Sequence, residues 1–132
     1  MVELACAGEP ELRPSRIEEH RERSFSILTI EELRAARPGD EFSFLIGADA
    51  FAEIRTWFRW QDVIRAVPFL VVSRPGHTFE IPAGARVHRL DTLSMNVSSS
   101  EIRSSLARGV RPAELSAPVM DYIEQHRLYG FC

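Results

Sequence analysis

Two short apolar runs, Phe42-Ser43-Phe44-Leu45-Ile46-Gly47 and Phe69-Leu70-Val71-Val72-Ser73, constrain the possible folds of this chain most. Turn residues bound both: Pro38-Gly39-Asp40 precedes the first and Arg74-Pro75-Gly76 closes the second. Each run reads as a strand buried on both faces. Helical patterns lie between and around them, and that alternation specifies an α/β fold with a doubly wound parallel sheet. Such sheets take their ligands beyond the carboxyl ends of the strands. The corresponding turns are Gly47-Ala48-Asp49, Ser73-Arg74-Pro75-Gly76 and the approach to Ser98, so all three are expected on one rim.

The remaining pattern predicts mostly helices. Residues 1–8 read as the end of a helix stopped by Gly8, with Pro10 beyond. Residues 11–19 are ambiguous, and Ile17 is placed where a short strand is possible. A helix is predicted from Ser24 to Ala36, with Ile27, Ile30 and Leu33 on one stripe. A further helical stretch begins at Asp49, and another runs from Gln61 to Val67, stopped by Pro68. A weaker third strand is predicted at Arg86 to Leu90. A serine-rich helix runs from Ser98 to Arg108, with Ile102 and Leu106 inward and Gly109 as its stop. The last helix has Ser116 as N-cap and Pro118 in its first turn. Val119, Tyr122, Ile123 and His126 share a face of it, and Gly130 ends it.

A length of 132 residues suits one domain with a real core. The net charge of −3 provides no basic field and argues against broad nucleic-acid binding. Cys6 and Cys132 lie far apart in sequence and form no metal-ligand spacing, which favours a reduced, cytoplasmic setting. The opening residues lack a basic leader, and no stretch is long enough to span a membrane, so no membrane partner is expected. A homo-oligomer is left open.

Ser98-Ser99-Ser100-Glu101-Ile102-Arg103 carries the clearest chemistry. It sets three hydroxyls and unpaired backbone N–H groups at a helix start, with a guanidinium one turn on. That is a means of holding a polyphosphate. Ser98 and Glu101 also have the spacing of a capping box, which explains part of the same pattern structurally. No glycine-rich phosphate loop and no paired-histidine motif occurs in these residues. None of His20, His77, His88 and His126 has partners at metal or triad spacing.

The ordered set of motifs resembles the bacterial nicotinate-nucleotide adenylyltransferase family. Ser24-Phe25-Ser26-Ile27-Leu28-Thr29-Ile30 resembles its Ser-Tyr-Thr-x-Asp-Thr-Leu block, and Phe44-Leu45-Ile46-Gly47-Ala48-Asp49 its Gly-x-Asp strand end. Trp57-x-x-Trp60 follows at the family's distance, and Val72-Ser73-Arg74-Pro75-Gly76 resembles its Arg-Pro-Gly turn. Val97 to Arg103 is similar to the Ile-Ser-Ser-Thr-x-Ile-Arg signature, and Val119 to Tyr129 to the C-terminal helix. Three positions depart from the pattern: Phe25, Ser26 and Leu28 stand where the family has tyrosine, threonine and an acidic residue. The family's opening Gly-x-Phe-Asp-Pro-x-His-x-Gly-His segment has no counterpart.

The resemblance therefore implies a Rossmann-like domain over residues 1–132, N-terminally truncated to the C-terminal two-thirds of the family fold. It implies adenylyl transfer from ATP to nicotinate mononucleotide, with Mg²⁺ on the triphosphate. Gly47, Asp49, Ser98, Ser99, Ser100 and Arg103 would bind ATP, and Ser26, Trp57 and Arg74 the mononucleotide. No residue is assigned a catalytic role, because the histidine segment is absent. The expectation for the chain as it stands is very weak or no turnover and a marginal, aggregation-prone fold, since a missing first strand would expose mid-sheet edges. An inactive nucleotide-binding remnant and an adenylyltransferase for nicotinamide mononucleotide or phosphopantetheine are the competing readings. Each assigned residue has a plainer role beside it. Asp49 has the position of a helix N-cap, Gly47 of a turn residue and Ser26 of a helix start, while Trp57 suits a core and Arg74 a solvated turn.

Overall fold

A computed structural model describes residues 1–73, 76, 78–91 and 97–131. The chain forms two compact units: Ile17–Ser94, and Met1–Arg16 together with Met95–Cys132.

In the first unit, α2 (Ser26–Ala36) leads to β1 (Phe44–Gly47), α3 (Ala48–Ala52), a 3₁₀ turn at Ile54–Thr56 and α4 (Trp60–Ala66). Strands β2 (Phe69–Val72) and β3 (Val87–Leu90) complete it. The three strands lie in the order β1-β2-β3 and all run parallel. Register pairs Phe44 with Phe69 and Val87, and Gly47 with Val72 and Leu90, so every carboxyl end reaches the same rim. This is the expected parallel α/β arrangement.

Alternation of side chains along a strand decides what each buries. Phe69 and Val71 are fully buried, and their β1 partners Phe44 and Ile46 face the same core. Ile27 and Ile30 of α2, Phe51 of α3, Ile54, and Val63 and Ile64 of α4 fill that core. The Phe44 and Phe69 rings stack at 5.4 Å between centroids, and Phe51 meets Phe69 at 5.2 Å. The opposite face is different: Leu45 is 63% exposed and Leu70 and Val72 are only half-buried. The reading of both runs as strands buried on two faces is therefore corrected. An apolar run records strand propensity, whereas two-sided burial needs a layer on each face, and the described helices of this unit pack on the face of Phe44, Ile46, Phe69 and Val71.

Element ends shift for identifiable reasons. Helix α2 starts at Ser26 and not Ser24, because Phe25 keeps an extended backbone (φ −116°, ψ 124°). Its stripe is buried at Ile27 and Ile30, while Leu33 is half-buried. The stretch from Asp49 breaks into α3 and the 3₁₀ turn. Ile17 lies in a turn and not in a strand.

The second unit holds α1 (Val2–Cys6), α5 (Ser99–Ala107) and α6 (Ala117–Gln125). Helix α1 ends before Gly8, where Ala7 turns extended (ψ 121°). The core here is Leu106, Val119, Met120, Ile123 and Phe131, with Leu4, Ile102, Leu115 and Leu128 packed around it. Met120 joins that core, whereas His126 caps the end of α6 and stays exposed, its ring stacked on Tyr122 at 3.9 Å. Gly109 stops α5 as expected: at φ +72° its N–H reaches the Leu106 carbonyl and the Val110 N–H reaches Ser105. Gly130 ends a separate 3₁₀ turn, Leu128–Gly130, that follows α6.

Candidate functional site

The start of α5 is built by Ser98. Its backbone is extended (φ −117°, ψ 122°), and its hydroxyl accepts from the Glu101 N–H at 3.4 Å, so it caps the helix. The structural reading of Ser98 is thus realised. Ser99, Ser100 and Arg103 are exposed beyond it, with Arg103 Nη2 at 3.5 Å from Ser100 Oγ. The N–H groups of the first turn have no acceptor inside a helix, so this end offers donors and partial positive charge. Glu101 supplies a negative charge in the same turn.

At the strand rim, Gly47 is the last residue of β1 and the N-cap of α3. Its φ of −74° is open to any residue, and a Cβ built there would meet nothing within 4 Å. The fold itself therefore does not require glycine at this turn. Asp49 is exposed in the first turn of α3, one residue past the first helical position. Because Gly47 occupies the cap, the N-cap explanation for Asp49 is excluded. Beside them Ser73, only 4% exposed, donates its hydroxyl to the Asp91 carboxylate. Sequence reasoning missed Asp91. The two residues are 18 apart and meet only through the β2–β3 register, a signal that spacing does not contain.

A cleft of about 300 Å³ opens between the start of α2 and the segment after the 3₁₀ turn. Ser24, Phe25, Ser26, Thr56, Trp57 and Phe58 line it. Ser26 and Trp57, assigned to one ligand from sequence, are brought together here. Trp57 is half-buried and meets Phe44 edge-on at 5.6 Å, so it packs on the core and also presents surface to the cleft. Trp60 is half-buried on the same core, with the Arg55 guanidinium 5.6 Å from its ring centre. Phe25 and Phe58 approach to 4.5 Å between ring centres.

Arg74 and His77 lie outside the described residues, as does Thr92–Asn96 in the approach to Ser98. Among the described residues, no group of three or more His, Cys, Asp or Glu side chains is placed to hold a metal ion. No described helix is long and apolar enough to cross a membrane.

A parallel α/β sheet with a polar carboxyl rim fits a nucleotide-binding protein, and comparison with known proteins places the chain in the nucleotidyltransferase class. The cytidylyltransferase-like family model matches residues 1–105. A protein of Solibacter usitatus named "Probable nicotinate-nucleotide adenylyltransferase" is 58% identical over 131 residues, covering 98% of this chain and 70% of that protein. One of the same name from Exiguobacterium sibiricum is 38% identical over 132 residues, again with 98% and 70% covered. This chain belongs to the nicotinate-nucleotide adenylyltransferase family.

Solved structures agree on the fold. The Plasmodium falciparum nicotinic acid mononucleotide adenylyltransferase complexed with APC superposes with a TM-score of 0.68 at 20% identity, covering 86% of this chain and 62% of that one. The same enzyme complexed with NaAD gives 0.68 over 86% and 60%. The chain thus spans less than two-thirds of the length of those solved proteins.

Proposed function

We propose that the protein transfers the adenylyl group of ATP to nicotinate mononucleotide, forming deamido-NAD and pyrophosphate in NAD biosynthesis. The acceptor's phosphate oxygen attacks the α-phosphorus of ATP. The bond from that phosphorus to the β-bridging oxygen breaks, and pyrophosphate leaves with the electron pair. Positioning and charge stabilisation dominate such a transfer. The α5 start, through the N–H groups and hydroxyls of Ser99 and Ser100 and the guanidinium of Arg103, holds the triphosphate and takes up charge growing on the departing pyrophosphate. Ser98 contributes by fixing that helix end. Gly47 leaves room for close approach of the nucleotide, and Asp49 accepts from a ribose hydroxyl.

The observation that carries the acceptor assignment is the cleft uniting Ser26 with Trp57. An indole face suits a flat pyridine ring, and a serine hydroxyl suits its carboxylate. Arg74 is proposed for the mononucleotide's own phosphate. Mg²⁺ is proposed to accompany the triphosphate and neutralise its charge. The 132 residues act as one nucleotidyltransferase-like domain in the cytoplasm.

The test is to titrate the chain with nicotinate mononucleotide, nicotinamide mononucleotide and phosphopantetheine, following tryptophan emission, and to assay pyrophosphate release with ATP. Preferential quenching by nicotinate mononucleotide supports the reading. Binding without pyrophosphate release marks a remnant that keeps the site alone, and a stronger response to another acceptor overturns the substrate assignment.

A further inference from the structure

Arg59 combines an unfavourable backbone with an unusual set of partners. It sits at φ 52°, ψ 42°, in the left-handed region, as the N-cap of α4. Glycine enters that region freely, and a side chain with a Cβ does so only against steric resistance. Its side chain explains its presence. Nε donates to Asp62 Oδ2 at 2.7 Å, one turn along α4, and Nη2 donates to Glu31 Oε1 at 2.8 Å on α2. These two carboxylates hold the guanidinium further into its protonated form.

The pairing matters because of what lies either side of it. Trp57 is two residues before Arg59, and Ser26 opens the helix that carries Glu31. The ion pair therefore ties the segment bearing the indole to the helix bearing the serine. Phe25 against Phe58 makes a second tie nearer the cleft. We propose that Arg59 and Glu31 are positioning residues that fix the width of the cleft between Ser26 and Trp57, tuning it to a flat pyridine mononucleotide. This rests on the reading of that cleft as the acceptor site.

Both side chains are exposed, at 41% and 49%, so the pair adds little to global stability. Its effect falls on binding. A ligand entering a loosened cleft must first order its walls, and that ordering is subtracted from affinity. A weak surface bond can thus govern recognition while leaving the fold intact.

The experiment compares Glu31→Gln, Arg59→Gly, Arg59→Lys, the double variant Glu31→Gln/Arg59→Gly, and Trp57→Ala. Trp57 emission is isolated in a Trp60→Phe background. Acrylamide quenching without ligand reads the freedom of the indole, and calorimetry reads nicotinate mononucleotide and ATP separately. Glu31→Gln and Arg59→Gly should each raise the quenching constant and weaken nicotinate mononucleotide about fivefold, with ATP affinity and thermal midpoint barely changed. Arg59→Lys should fall between Arg59→Gly and the parent, and the double variant should match Arg59→Gly alone, since Glu31 acts through its tie to Arg59. Quenching and acceptor affinity within twofold of the parent for Glu31→Gln would overturn the proposal. Should Trp57→Ala leave acceptor binding intact, the acceptor-site reading fails. The ligand-free quenching then still decides whether the tie holds the indole.

Discussion

At the start of α5 two charges act in opposite directions on an incoming anion. Glu101 interacts favourably with the positive helix end and steadies it in the absence of ligand, but it repels a polyphosphate. Arg103 attracts the same group and adds little to the helix, since its side-chain partner among the described residues is Ser100 Oγ at 3.5 Å. Arg103→Ala should weaken ATP binding by at least about tenfold, the loss of one charge-assisted hydrogen bond of roughly 1.5–3 kcal/mol. Glu101→Gln should strengthen ATP binding about two- to fivefold while lowering stability by roughly 0.3–1 kcal/mol. Calorimetric titration with ATP, alongside thermal melts, separates the two effects. Gly47 permits an equally sharp test. Its backbone is ordinary and the space for a Cβ is open, so Gly47→Val should leave the melting midpoint within a few degrees yet impair ATP binding. A large loss of stability would mean that the turn, and not a ligand, demands the glycine.

Among the secondary-structure elements, those whose local signals are self-sufficient were legible in the sequence. The starts of β2 and α6, the stop at Gly109 and the Ser98 cap all follow from chemistry within a few residues. What was not legible depended on neighbours far along the chain. The exposure of Leu45 depends on which face of the sheet the helices cover, the Ser73–Asp91 bond on register, and the burial of Met120 on which side of α6 meets Phe131. The candidate site divides the same way. Motif order named Ser26 and Trp57, but only folding shows that they share a cleft, and no motif marks Arg59 as the tie behind it. Cap and ligand roles at α5 are separable by substitution. Ser98→Ala should cost about 0.5–1 kcal/mol, at the low end for a cap because its bond is long, with little change in ATP affinity. Ser99→Ala and Ser100→Ala should show the reverse. Helix α1 has a pH signature of its own. Arg16 hydrogen-bonds Glu3 at 2.7 Å, and that bond and its charge hold the Glu3 carboxyl below its usual 4.5. A depressed carboxyl contributes above its unfolded value and loses that contribution as pH falls through the folded one. Protection of the Val2–Cys6 amides, corrected for the intrinsic pH dependence of exchange, should therefore fall in acid, and Arg16→Gln should abolish that fall.

Across the whole molecule, the distribution of apolar side chains makes its own prediction. Two hydrophobic clusters form, one around Phe51, Phe69 and Val71 and one around Leu106, Met120 and Ile123. Each belongs to one of the two compact units, and each is filled by residues no more than 8% exposed. Removing a buried side chain forfeits its transfer free energy and leaves a cavity that only its own neighbours can relax into. Phe51→Ala should therefore cost about 3–5 kcal/mol and Leu106→Ala about 2–5 kcal/mol. The losses should be local in hydrogen exchange, because protection is set by the cooperative unit in which an amide sits. Phe51→Ala should lower protection chiefly in β1, β2 and α2, and Leu106→Ala chiefly in α5 and α6. A ligand should then discriminate between the units. Nicotinate mononucleotide bound beside Trp57 should restore protection chiefly in the Phe51→Ala protein. If either substitution lowered protection equally across both sets of elements, the two cores would form one cooperative body. The exchange pattern would then report global stability alone, and acceptor recognition would have to be mapped by the Arg59 and Glu31 variants instead.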